Sequence, residues 1–341
     1  LLKGQQSWVF PNRPMILASG VSGGPFEANG KLADDFDILH EDLWMGMDSY
    51  EKAQTVLLEE AITTTLEKAK MDKEQIEFLF AGDLINQITP SSFAARTVQI
   101  PYFGLFGACS TSMEGLALAS FVVNYKGARN VLTGASSHNA ATEKQFRYPT
   151  EYGGQKPPTA QWTVTGAGIA LVTQNVPGKQ HPVTTSATIG KVIDMGLSDP
   201  YNMGGAMAPA AADTITAHFR DMELDPSHYD LIITGDLGRI GQETTFELLT
   251  KNGLNIERKQ FQDCGLLLYK DDQPVQAGAS GAGCSAVVLY GHLLNQMKKG
   301  VYKRILVVAT GALLSPLSFQ QKESIPCIAH AVSIEMNEVG G

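Results

Sequence analysis

The sequence predicts an α/β fold whose sheets are covered by helices on both faces, built from two similar halves. Three observations carry this. Short runs rich in Val, Ile and Leu, the mark of buried strands, alternate with longer segments of helical spacing. The same landmarks occur twice in the same order. At 341 residues the chain exceeds the usual length of one domain. The expected division is residues 1–178 and 179–341.

In the first half, Ser19 to Pro25 ("SGVSGGP") lacks the Lys-Ser/Thr of a phosphate loop and reads as an ordinary loop. Ser49 to Lys70 has the spacing of a long amphipathic helix, and Asp72 to Ile76 lead into a strand. That strand, in "QIEFLFAGDLINQ" (75–87), ends in Gly-Asp-Leu. "GACSTSMEGLALASFVVNYKGARNVLTGASS" (107–137) then reads as turn, cysteine, apolar helix, Lys-Gly stop, strand and Thr-Gly-Ala. Met113, Leu116, Ala117 and Ser120 share one face of that helix. "GAGIALVT" (166–173) closes the half.

The second half repeats the scheme. "AMAPAAADTI" opens a helix, with Pro209 expected in its first turn. "HYDLIITGDLGRI" (228–240) ends its apolar run in the same Gly-Asp-Leu, and residues 281–313 repeat the turn, cysteine, helix, stop and strand around Cys284. "CIAHAVSIEM" (327–336) matches the closing strand. Strands alternating with helices imply sheets covered on both faces.

Composition narrows the function. Net charge is −9 with no Lys/Arg run, which disfavours nucleic acid and anionic lipid as partners. An anionic ligand therefore needs a local cluster of donors, or arrives with a cation. The longest apolar stretch, residues 305–314, is too short to span a bilayer. The opening "LLKGQQSWVFPNRP" has no basic segment followed by an apolar core, so no secretory signal is expected. Four cysteines without a Cys-x-x-Cys spacing predict reduced thiols in a cytosol-like compartment and no metal site. No dinucleotide fingerprint occurs in a strand–helix context, and no cofactor is expected.

A cysteine in "ACS" at the head of a buried helix, in the first of two like halves, resembles the thiolases and ketoacyl-acyl-carrier-protein synthases. That resemblance implies a five-layer αβαβα fold. It also implies that Cys109 occupies the acyl-accepting position, where a helix N-terminus favours the thiolate. In the chain-starting synthases a histidine and an asparagine complete the site. The matching positions here read as Gly235 and Gly283, so an emptied active centre, a cavity in place of Claisen chemistry, is expected.

The strings "FGACSTSMEG", "SSHNAATEKQFRYPTEYGGQKPP", "AMAPAAADTI" and "VVATGALLSPLSFQQKESIPCIAH" resemble the stage V sporulation protein AD family of spore-forming bacilli. The resemblance implies a non-catalytic binding protein for dipicolinic acid (pyridine-2,6-dicarboxylate), alone or with calcium. It would serve uptake into the developing spore and release at germination. It implies integral membrane partners from the same gene cluster, a place in the forespore beside the spore inner membrane, and a homodimer by family habit. A flat dianion needs charged donors and an apolar wall. The candidates are Cys109, His138, Arg147, Tyr148, Tyr152, Lys156 and Asp83. The alternative is a residual acyltransferase or thioesterase using Cys109.

Overall fold

The computed structural model describes residues 1–147, 155–176, 178 and 180–337. The first half contains β1 (Met15–Gly23), α1 (Tyr50–Ala69), β2 (Phe78–Gly82), α2 (Thr89–Val98), β3 (Tyr102–Gly104), α3 (Thr111–Asn124), β4 (Asn130–Ser137) and β5 (Gly166–Thr173). The second contains β6 (Pro182–Ile189), α4 (Met203–Met222), β7 (Leu231–Thr234), α5 (Gly238–Lys251), β8 (Phe261–Asp263), α6 (Ala282–Val287), β9 (Arg304–Ala312) and β10 (Cys327–Met336).

Strand order repeats between the halves: β3-β2-β4-β5-β1 and β8-β7-β9-β10-β6. In each, the first two pairings are parallel and the next two antiparallel. The innermost strands β1 and β6 meet at the Met15–Val183 pair, which joins the two sets of strands edge to edge. Each innermost strand also carries a register shift, between Ile16 and Ala18 in one and between Thr184 and Ser186 in the other. A bulge sharpens the local twist, and both halves carry one in the strand at their shared edge.

Helices fill three layers around these strands. α1 covers β1 and β5, and α4 covers β9 and β10 with α5 beside it. Between the sheets lie α3, touching β2 and β4 on one side and β9 and β10 on the other, and α6 against β4 and β5. This is the five-layer arrangement expected from the sequence. A helix enclosed by two sheets cannot be amphipathic. Accordingly Met113, Leu116, Ala117 and Ser120 of α3 are fully buried, and every residue of α6 is buried.

Local chemistry sets the ends. Ser49 Oγ accepts the Lys52 N–H at 3.3 Å to start α1, and Lys70 in the left-handed conformation ends it. Two expectations fail. The Gly/Ser stretch at Ser19 to Gly23 is part of β1 rather than a loop, because a Cβ at Gly20 would lie 2.5 Å from the Ala61 carbonyl oxygen of α1. Glycine there permits close helix–sheet contact. Pro209 lies inside α4, which begins earlier, at Met203. The added turn is capped by Asn202 and packs so tightly on α5 that a Cβ at Gly204 would meet the Leu237 carbonyl at 2.2 Å. All four cysteines are free, as their spacing predicts, and all four are buried.

The middle layer depends on similar contacts. A Cβ at Gly168 of β5 would sit 2.7 Å from the backbone of Ala286 in α6. Gly168→Ala should therefore push α6 off its sheet and lower stability by about 1–3 kcal/mol. Urea unfolding with an unchanged midpoint would show that the layer yields instead.

Candidate functional site

After β3 the chain turns tightly at Ala108–Ser110 and enters α3, placing Cys109 at the head of the central helix. Ala108 adopts φ +50°, a left-handed conformation that disfavours any residue with a Cβ. The turn is fixed by its neighbours. Ser110 Oγ donates to the Gly107 carbonyl at 2.6 Å, Thr111 Oγ1 donates to the Ala108 carbonyl at 2.7 Å, and the Gly107 N–H donates to Thr111 Oγ1 at 3.0 Å. From the other half, β9 presses on it so closely that a Cβ at Gly311 would lie 2.2 Å from the Gly107 oxygen.

The electrostatics at the sulfur oppose its position in the fold. A helix N-terminus favours a thiolate. Burial, and then the charge and hydrogen bonding of the Asp236 carboxylate, push the Cys109 thiol well above its ordinary range. Burial and the adjacent carboxylate win, and the sulfur stays protonated at neutral pH. Asp236 follows β7 and accepts from Thr310 Oγ1 at 2.8 Å, Ser280 Oγ at 3.1 Å and the Gly281 N–H at 3.0 Å. Burial raises its carboxyl as well. Asp263 is nearby, and burial raises it to about 7 even though it accepts from Thr234 Oγ1, Leu237 N and Gly238 N. Neighbouring buried carboxylates each disfavour the other's charge.

The two glycines do not open a space at Cys109. A Cβ at Gly235 would lie 2.9 Å from Ala309 Cα, and one at Gly283 would lie 2.6 Å from the Gly166 oxygen and 2.7 Å from Ser137 Oγ. Both are sites of close backbone approach, so neither accounts for the emptied volume expected from the sequence. Asp236 is the residue that faces the sulfur, one position beyond Gly235.

A cavity of about 110 Å³ does lie in front of Cys109. At about 30 Å³ per molecule in the liquid, that is the space of about four waters. Cys109 and Ser280 line it, with Phe106, Phe146 and Met207 among its apolar walls. Its polar wall includes Thr142, Glu143, Arg147, Gln161 and Tyr201. Gln161 Nε2 donates to the carbonyls of Asp236 and Ala279 at 2.7 and 2.9 Å, which fixes the carboxamide and leaves its buried Oε1 without a partner among the described residues. The buried Thr142 Oγ1 also lacks one there. Arg147 Nε pairs with Glu143 at 3.0 Å, and its guanidinium lies over the Tyr201 ring at 4.4 Å. Lys156 pairs with the other oxygen of Glu143 at 2.8 Å and lies over Trp162 at 4.8 Å.

The sequence-derived candidates thus separate. Cys109 and Arg147 share the cavity wall, and Lys156 reaches it through Glu143. His138 is buried apart from the cavity lining. Its Nε2 contacts the Leu43 carbonyl at 2.9 Å, its Nδ1 accepts the Ala141 N–H at 3.4 Å, and burial lowers its pKa. It caps the short helix Asn139–Thr142 that leads to Glu143. Asp83 accepts from the N–H groups of Ile85 and Ser91 at 2.8 and 2.9 Å and from Ser91 Oγ, with its carboxyl raised to about 6 by burial. Tyr148 and Tyr152 lie outside the described residues. Gln161 and Tyr201 on the cavity wall, and Asp236 beside the sulfur, are residues that sequence reasoning did not select. Only Asp236 carried a signal, the duplicated Gly-Asp-Leu. Among the described residues no group of three or more His, Cys, Asp or Glu side chains is disposed to hold a metal, and no helix is long and apolar enough to cross a membrane.

Removing the opposing charge should lower the Cys109 pKa. Asp236→Asn is expected to speed iodoacetamide alkylation of Cys109 at pH 8 several-fold, because more of the sulfur is then thiolate. Site-resolved mass spectrometry measures it, and equal rates in the two proteins would remove Asp236 as the cause.

The family model for stage V sporulation protein AD (SpoVAD) matches residues 4–335. Stage V sporulation protein AD of Bacillus subtilis (strain 168) is 48% identical over 334 residues, covering 98% of each chain. Among solved structures, 3-oxoacyl-[acyl-carrier-protein] synthase III from Aquifex aeolicus superposes with a TM-score of 0.60 at 14% identity, covering 94% of this chain and 99% of that one. A singly substituted form of OleA from Xanthomonas campestris superposes at 0.63 and 13% identity, covering 98% and 100%. At such identities the structural likeness speaks for the fold alone.

Proposed function

The chain belongs to the stage V sporulation protein AD family, a spore-related one, and from that premise we propose that it is a non-catalytic binding protein for dipicolinic acid. The observation that carries this reading is the cavity before Cys109. It combines aromatic walls, an arginine, and two buried polar atoms that have no partner among the described residues. A planar aromatic dicarboxylate suits such a lining: the ring lies against Phe106 and Phe146, and a carboxylate meets the Arg147 side. A dianion has no proton for the orphaned Gln161 Oε1. The bound species therefore carries a proton, a cation such as calcium, or a bridging water at that point.

The state of the sulfur supports the non-enzymatic part. An acyl-accepting cysteine works as thiolate, and here burial and Asp236 hold the proton on. One observation favours the rival reading, a residual Cys109 acyltransferase or thioesterase: the left-handed turn at a helix head is a setting suited to presenting a nucleophile. Incubation with acyl-CoA and intact-mass measurement separates the two, and no adduct is expected.

In this reading the protein acts in the forespore beside the spore inner membrane. It passes the acid to and from integral membrane partners during uptake and germination. It works as a homodimer. β3 is the edge strand of the first half, where Phe103 is 53% exposed, and an open apolar edge of this kind is suited to pairing with a second copy.

Calorimetry should give saturable dipicolinate binding to the wild type, weakened at least about tenfold in Arg147→Met by loss of the charge-assisted contact. Absence of saturation up to millimolar ligand would remove the function.

A further inference from the structure

Glu143 holds a position that a ligand's own carboxylate would take. Its two oxygens go to different cations, Oε2 to Arg147 and Oε1 to Lys156. All three side chains are about a quarter exposed or less (21–25%), so the pairs are partly desolvated yet within reach of solution.

Each cation also has a second anchor independent of Glu143. Arg147 lies on the face of Tyr201, and Lys156 on the face of Trp162. Cation–π contacts of this kind keep a charged group in place when its anion leaves. Glu143 and Arg147 belong to a π-helical turn, Glu143–Arg147, directly after the Asn139–Thr142 helix. Such widened turns are frequent at functional sites. The last residue of that helix, Thr142, carries one of the two buried wall atoms left unpartnered among the described residues, and Gln161 Oε1 is the other. These polar groups are incompletely satisfied while Glu143 occupies the cations.

We propose that Glu143 is an internal stand-in for a ligand carboxylate, displaced from Arg147 and Lys156 when an aromatic dicarboxylate enters. The inference rests on the binding function proposed above and assigns that site a built-in competitor. Binding is an exchange of one carboxylate for another on cations that stay where they are. Affinity is reduced by the fraction of time Glu143 holds them, so the site binds its ligand more weakly than an open cationic pocket would.

The test is calorimetric titration of dipicolinate into wild type, Glu143→Gln and Glu143→Ala, with thermal unfolding of each as the folding control. Removing the competitor is expected to tighten binding by about tenfold in whichever variant retains wild-type unfolding behaviour. Tight binding by a variant alone also supports the exchange. Binding by wild type that is unchanged or weaker in both variants overturns the stand-in and leaves the binding function standing, because Glu143 is then a strut that positions the cations. No binding by any of the three proteins overturns both.

Discussion

The constraint on which the rest of this structure depends is the enclosure of two helices, α3 and α6, between sheets. Such helices present little surface to water, so most of their residues are small or apolar, and neighbouring backbones approach at glycine. Gly168 against Ala286 and Gly311 against Gly107 are two such approaches. The head of α3 cannot project outward in this setting. Cys109 ends beneath the surface, at the base of a cavity between the halves, with β9 behind its turn and Asp236 beside its sulfur.

The duplication gives the site its asymmetry. Asp83 and Asp236 stand at equivalent ends of equivalent strands and do different work. Asp83 anchors the start of α2 through Ser91. Asp236 is bound by Thr310, Ser280 and Gly281, and turns its charge on the thiol. Cys284, the partner of Cys109 in the repeat, instead donates to the Gly235 carbonyl at 3.3 Å. One fold element used twice thus produces one cavity-facing thiol and one sealed in the core.

Much of the architecture was legible because it is local. Apolar runs, the helical face from Met113 to Ser120 and the stops at Lys-Gly depend on neighbours along the chain. Readings failed where a distant backbone decides. "SGVSGGP" has loop composition, yet its Gly20 lets α1 lie against a strand. Gly235 and Gly283 resemble losses of catalytic side chains, yet each is required by a backbone or hydroxyl from elsewhere in the fold. His138 was readable as a polar residue after a strand, but not as the cap of the next helix. Asp236 reaches Cys109 across 127 positions of sequence, and no spacing rule spans that distance.

The Gly168–Ala286 contact has a mechanical consequence. A helix of the second half already lies against a strand of the first at a distance that leaves no room for one added carbon. The two halves are clamped at their centre, and a distortion of either sheet is transmitted to the other rather than absorbed between them.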